Sequence, residues 1–405
     1  MTRGRTITTP RTRLLDPMTI EDLAIGSAVL GTGGGGDPYI GKLIARQAVE
    51  ERGPVDIIQP DELVNDDLDI VVSMSGAPTV MSEKIPNGGE MERVAERAVD
   101  FAGKPPRAVL SFENGGINST FPVAAAARMR ITLVDADGMG RAVPEFQITA
   151  FNAGGVTFGP RFVIDEKGNV LRIDGIDASW LERINRRALV AMGGSVMSAI
   201  GPTGADVRNA SIHGSISLAV TIGAAIRRAH EQKLDWREEL HRVTISLVLF
   251  GGKVVSVERR AEGGWVRGHA LMAGLGCECD RRVRIDFQNE HLLAREGIDG
   301  EFPDILASTP DLIAVLDTDT GIPITTEGLR YGQRATLIGI KCQPIWRSPR
   351  GLDLAGPRYF RWPIDYIPIE ERFAQRAARA WRRYSGIGDG PDPHPLEVPR
   401  SDGGA

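Results

Sequence analysis

The sequence predicts an α/β chain in two parts: an N-terminal α/β domain with a largely parallel sheet, and a β-rich α+β C-terminal domain. Three observations carry that prediction. Up to Asp137, short β-branched runs alternate with helical patterns, and several runs stop at glycine or a carboxylate. Beyond Val243 the pattern changes to successive strands separated by glycine-rich turns. At 405 residues the chain also exceeds what one ordinary core organises.

Thr19 reads as the N-cap of a helix running to Leu30, with Glu21 and Asp22 favourable in its first turn. The chain breaks at Gly31–Gly36, and Asp37-Pro38 opens a second helix over Tyr39–Glu51. Val55–Ile58, Asp69–Met74, Ala108–Phe112 and Ile131–Val134 read as buried strands, with helices over Glu90–Phe101 and Pro122–Arg128. If the strands are parallel, Gly33–Gly36, Ser75–Pro78, Glu113–Asn118 and Asp135–Arg141 share one edge, where ligands of open α/β sheets gather. After Phe146 strands are expected at Gln147–Phe151, Phe162–Ile164 and Val170–Ile173, with a hairpin turn at Asp165–Asn169 and a helix near Trp180–Met192. Ser211–Arg228 reads as a buried helix rich in small residues. The remaining strands are Val243–Phe250, Lys253–Arg259, Arg282–Phe287, Leu312–Leu316 and Ala335–Lys341, with turns at Gly251-Gly252, Gly263-Gly264 and Thr318–Gly321. The domain organisation expected is a flexible arm at 1–17, an N-terminal domain at 18–185, a C-terminal domain at 186–370, and a helical end with a disordered tail at 371–405.

Composition excludes several function classes. Net charge is −5 with mixed signs, so there is no electrostatic footprint for nucleic acid or an anionic membrane. No run approaches the roughly 18 apolar residues of a membrane helix, and residues 1–14 lack the apolar core of a secretory signal. Three cysteines are too few for a disulfide framework, which fits a cytoplasmic protein. A small-molecule substrate and a homo-oligomer are the expected partners.

The chemistry concentrates at strand ends. Val134–Glu145 (VDADGMGRAVPE) places Asp135, Asp137, Arg141 and Glu145 around a glycine turn; an aspartate bonding its own backbone is the plainer account of each acid alone. Glycines opening a helix suit an anion, but Gly33–Gly36 lacks the Walker lysine and the dinucleotide spacing, so Gly34 and Gly35 are expected to shape a pocket and no nucleotide is expected. Asp286–His291 gathers acid, amide and imidazole after a strand, with Asn289 and Glu290 placed to face an interdomain cleft. Asp317, Asp319 and Glu327 fit a turn. Cys277-Glu-Cys279 lacks the spacing of a structural zinc site.

Read together, LGTGGGGDPYIG (30–41), MSGAP (74–78), ENGGINS (113–119), VDADGMGRAVPE (134–145), DFQNEHL (286–292), PDLI (310–313), TEGLRYGQR (326–334) and AGPRYF (355–360) resemble the S-methyl thiohydantoin desulfurase domain family, over about Asp16 to Ile369. The resemblance implies a two-part architecture and conversion of an S-methyl thiohydantoin to a hydantoin with release of methanethiol. Water must then add to the sulfur-bearing ring carbon, activated by a carboxylate or a metal-bound hydroxide. The candidates for base or ligand are Glu113, Asp135 and Asp137, with Glu145, Asn289 and Glu290 closing the site, Asn114 toward the ring, and Arg141 on a substrate carboxylate. A divalent ion, zinc favoured, is expected on Asp137 and His213. The competing expectation is a nucleotide-binding or accessory subunit working beside a hydantoinase.

Overall fold

The structure, a computed structural model, describes residues 9–76, 80, 84, 86, 88–262, 265–298 and 300–385. The first eight residues of the arm, Ala77-Pro78, Glu83, the Gly263-Gly264 turn and the tail beyond 385 lie outside the described residues.

The chain enters through β1 (Leu14–Leu15) and α1 (Pro17–Leu30). Asp16, rather than Thr19, caps this helix. Its carboxylate accepts the Thr19 N–H at 2.8 Å while the Thr19 hydroxyl accepts the Asp16 N–H at 2.7 Å, a reciprocal capping box that moves the cap from Thr19 back to Asp16. Asp37 caps α2 (Pro38–Arg52) by accepting the Tyr39 N–H. The expected alternation follows: β2 (Val55–Ile58), β3 (Asp69–Gly76), α3 (Glu90–Ala102), β4 (Ala108–Ser111), α4 (Phe121–Met129) and β5 (Thr132–Asp137). β2, β5, β4 and β3 are neighbours in that order and all parallel, so the ends of β3, β4 and β5 do share one edge.

Gln147–Phe151 does not form a strand. The Thr149 hydroxyl accepts the Asn152 N–H and Asn152 bonds the Gln147 carbonyl, local bonds that favour the single turn α5 (Ala150–Ala153). Next come β6 (Arg161–Ile164), β7 (Val170–Ile173), α6 (Ala178–Ala191), β8 (Ser195–Ile200) and α7 (Gly204–Ala210). β8, missed by the sequence reading, lies antiparallel between β3 and β6, so the sheet is mixed with a parallel centre. Ile212–His213 forms β9 against the end of β5, and the buried helix therefore starts later, as α8 (Ser215–Gln232).

Helices α8 and α1 pack at backbone distance. A Cβ on Gly223 would lie 1.8 Å from the Asp22 carbonyl oxygen, and one on Gly26 at 1.8 Å from that of Ala219. The Asp22 carboxylate takes a two-pronged bond from Arg227 at 2.7 and 2.9 Å across the same seam. Gly223→Ala is thus expected to lower stability by about 1–3 kcal/mol, read as a shifted urea midpoint at unchanged slope.

Helix α9 (Trp236–Val243) leads to the second sheet: β10 (Ser246–Glu262), β11 (Trp265–Ala273), β12 (Arg282–Gln288), β13 (Glu290–Ile298), β14 (Glu301–Ser308), β15 (Leu312–Asp317) and β16 (Arg334–Ile340). It is antiparallel throughout, in the order β14-β13-β12-β11-β10-β16-β15. The two strands expected around Gly251-Gly252 are one. The glycines pair with Thr336 and Ala335 inside β10, and register shifts at Val248/Phe250 and Val254/Ser256 absorb the irregularity as bulges. β15 is buried on both faces with period two. Leu312, Ala314 and Leu316 join the core of the first sheet, while Ile313 and Val315 join the core of the second.

After β16 come α10 (Pro349–Ala355) and α11 (Ile369–Ser385). Buried Asp311 ties this return in place, accepting from Cys342 N, Arg347, the Tyr366 hydroxyl and Ile369 N. No helix among the described residues is long and apolar enough to cross a membrane.

Candidate functional site

Two turns build the site. The end of β4 delivers Glu113, and the one-residue turn between β12 and β13 delivers Asn289 and Glu290. Asn289 has φ +58, a left-handed conformation that Asn tolerates better than most residues, and its Oδ1 accepts the Val266 N–H. That tight turn pushes Glu290 and His291 against the glycine loop between α1 and α2. A Cβ on Gly34 would lie 2.0 Å from Glu290 Oε1, and one on Gly33 at 2.4 Å from the His291 ring. Gly35 (φ +70) donates its N–H to Glu290 Oε1 at 3.3 Å. The loop's glycines are explained by close approach of another element. Glu290 Oε1 thus takes a loop N–H that an incoming anion would otherwise use.

Between the two turns runs a cleft lined by Gly35, Glu113, Asn118, Glu145, Asn289 and Glu290, among others. Glu113 is 6 % exposed and Glu290 2 %. Glu113 accepts from Asn118 Nδ2 at 3.1 Å and from Val143 N at 3.2 Å. Burial nonetheless pushes its carboxyl up to about 7, with the nearby charge of Asp137 adding to the rise. Burial and repulsion from Glu113 push Glu290 well above the usual carboxylate range, and its Oε2 has no partner. The charge on Glu113 contributes to the rise of Glu290, so ionising the first acid disfavours ionising the second. On the opposite wall Glu145 accepts from the Tyr359 hydroxyl at 2.7 Å, from Gln147 and from Gln288, which fixes its carboxylate.

The other expected site residues do other work. Asp137 Oδ2 accepts three backbone N–H groups, from Asn114 (2.7 Å), Met139 (3.1 Å) and Gly140 (2.7 Å). It closes the turn instead of lining the cleft, with burial raising it to about 6. Asp135 lies beneath, capping the first turn of α8 through Ser217 N and Oγ. Asn114 turns away to Ser215 O and Ser119. Arg141 is no clamp for a substrate carboxylate. Its nitrogens donate to the carbonyls of Ala142, Pro310 and Asp311 and to the Thr32 hydroxyl, pinning the two sheets together. His213 is exposed, with Nε2 on the Arg208 carbonyl. A divalent ion on Asp137 and His213 does not fit, because one carboxylate oxygen is committed to backbone and the imidazole faces elsewhere. No group of three or more His, Cys, Asp or Glu able to hold a metal occurs among the described residues.

The sequence placed Asn118 on the common edge without a role of its own and did not single out Glu182 or Arg186; all three line the cleft. Asn118 was legible: it stands five residues after Glu113, where a tight turn returns its amide to that carboxylate, and it also brackets Met74 N and O. Glu182 and Arg186 are four apart on α6 and gave no signal beyond an ordinary helical ion pair. Asp317, in contrast, forms the expected turn, accepting from Asp319 N and Thr320 N.

Residues 18–175 match the description of the S-Me-THD-like N-terminal domain, and residues 176–369 that of the S-Me-THD-like C-terminal domain. The chain belongs to the S-Me-THD-like family. In this S-Me-THD-like chain the N-terminal match supplies Glu113 and the C-terminal match supplies Glu290, so the cleft is built from both. A crystal structure of a protein from Chromobacterium violaceum is similar in fold, with a TM-score of 0.71 at 22% identity, covering 88% of this chain and 100% of that one. No curated protein matches the chain.

A carboxyl raised on folding binds its proton more tightly in the folded than in the unfolded chain. Its ionisation therefore erodes stability as pH rises from the ordinary glutamate value of 4.5. Glu290→Gln keeps an oxygen for the Gly35 N–H and removes the buried charge. Its melting temperature is expected to exceed that of the wild type at about pH 8, with the gap closing toward pH 4.5. Thermal unfolding across that range is the check, and a pH-independent gap would assign the effect to packing.

Proposed function

We propose that this S-Me-THD-like chain is a hydrolase of a small cyclic ureide or amidine, converting an S-methyl thiohydantoin to a hydantoin and methanethiol. The observation that carries the reading is the pair Glu113 and Glu290, two interacting buried carboxyls facing one cleft from the two halves of the chain. Such a pair can hold an ionised base and a protonated acid at the same pH.

In this mechanism Glu113, held by Asn118 and Val143 N, takes a proton from water as the water oxygen bonds to the ring carbon bearing sulfur. The adjacent C=N becomes a C–N bond, giving a tetrahedral carbon. Collapse restores a carbonyl, breaks the C–S bond and expels methanethiolate, which takes the proton held by Glu290; the proton leaving the hydroxyl oxygen as the carbonyl forms returns to Glu290, so the acid is restored. The abstracted proton passes from Glu113 to the ring nitrogen. Water and the S-methyl thiohydantoin are consumed, hydantoin and methanethiol are formed, and no redox partner is needed. Glu113 at about 7 is a stronger base than an ordinary carboxylate and is still ionised in part at neutral pH.

The test is thiol release, followed colorimetrically, from an S-methyl thiohydantoin propionate, with hydantoin identified as the second product. Thiol and hydantoin in equal amounts are the expected result. Folded protein that releases no thiol, with divalent ions supplied or removed, would sink the reading. A symmetric homo-oligomer in the cytoplasm is part of the same proposal, and light scattering of the purified protein checks the assembly.

A further inference from the structure

The acids occupy only part of the cleft; another part of its wall is backed by a cation. Arg161, on β6, is 1 % exposed and stacks at 4.4 Å on the ring of Phe146, which lines the cleft. Its Nη2 donates to Ser75 Oγ at 2.7 Å and to Ser198 Oγ at 2.9 Å, while Nε and Nη1 are buried without an acceptor. No carboxylate pairs with it among the described residues. The acid that influences it is Glu182, and Glu182 is already paired with Arg186 on its own helix. Arg161 is therefore a buried guanidinium whose partners among the described residues are hydroxyls and an aromatic ring, with no carboxylate on it. A folded protein tolerates that only when something offsets it, and an anion entering the cleft would.

Ser75 is the route by which this charge reaches a ligand. It stands at the end of β3, half-buried and lining the cleft. Its hydroxyl oxygen accepts from Arg161, so its one proton remains to be donated, and no acceptor takes it among the described residues. A hydroxyl that accepts from a cation is a stronger donor in turn, because hydrogen bonds in a chain polarise one another. Ser73, two residues back on the same strand face, also lines the cleft and shares a 2.8 Å bond with Ser198, the second hydroxyl on Arg161.

We infer that Ser75, backed by Arg161, is the subsite that takes an anionic oxygen of the ligand: a carboxylate carried beside the ring, or the oxygen of a deprotonated ring amide. The inference rests on the proposal that the cleft binds such a ring. It gives Arg161 the work that the sequence reading gave Arg141, but through an intervening hydroxyl.

Calorimetric titration of the full chain with hydantoin-5-propionate, its propionamide and plain hydantoin tests the subsite without requiring turnover. The propionate is expected to bind about tenfold or more tighter than the amide, and Ser75→Ala to reduce that preference to about threefold or less while amide binding holds. Arg161→Lys should do the same if it folds; Ser75→Ala removes one hydroxyl at the cleft wall and carries the test alone. If plain hydantoin instead binds more tightly as pH rises and Ser75→Ala abolishes that rise, the ring oxygen is the anion and the subsite stands. No binding by any probe, equal propionate and amide affinities with pH-independent hydantoin binding, or a preference untouched by Ser75→Ala would each overturn it. Thiol release without an anion preference removes the subsite alone; an anion preference without thiol release removes the reaction alone.

Discussion

Glu113→Gln is expected to lower kcat/KM for thiol release by about 10²–10⁴-fold, the range for loss of a positioned general base. The amide cannot accept a proton from water, and placing its NH₂ against Asn118 or the Val143 N–H sets donor against donor. Some stability is lost with it, so Glu113→Asp is the better-controlled companion. It keeps the acid but withdraws it by about one bond length, which costs on the order of 10² in a reaction that depends on placement. In the wild type, kcat/KM should climb through about pH 7 as the pair loses its first proton, and fall again once Glu290 ionises. A profile flat across that range, or wild-type activity in both variants, would remove Glu113 from the chemistry.

Asp137→Ala should unfold the chain more readily rather than merely inactivate it. Its carboxylate is the shared acceptor of three buried backbone N–H groups, and alanine leaves all three unmet, an expected loss of about 3–5 kcal/mol. The same loop carries Val143, whose N–H holds Glu113, so residual activity at low temperature should show a weakened kcat along with the lowered melting point. Asp137→Asn keeps one acceptor oxygen and is expected to recover most of the stability. Full loss of turnover in Asp137→Asn at wild-type melting temperature would instead put this aspartate in the reaction.

The contrast between these two acids marks how far the sequence could be read. Both stand at the end of a parallel strand beside glycines, and local pattern treats them alike. What separates them is where the next turn goes. After β5 the chain folds Met139 and Gly140 back onto Asp137, whereas after β4 it carries Asn118 to one oxygen of Glu113 while the distant Val143 N–H meets the other, and the carboxylate stays in the cleft wall. The glycine loop shows the same limit. Four glycines in a row announce close approach, but only the partner element shows whether a phosphate or Glu290 does the approaching.

By itself the sequence determined the strand–helix alternation up to Asp137, the parallel centre and its common edge, and the β-rich character of the second part, because burial period and turn chemistry are local properties. It also singled out Glu113, Asn289 and Glu290, whose residue types are costly to bury without a role. Tertiary structure alone decided that Asp135, Asp137, Asn114 and Arg141 are holding groups, that His213 faces away, and that α6 and β6 bring Glu182, Arg186 and Arg161 to the site from stretches with no local signal. It had to, because those roles depend on which acceptors surround each group in space, and apart from the neighbouring Ala142 carbonyl those of Arg141 and Arg161 lie dozens of residues or more away along the chain.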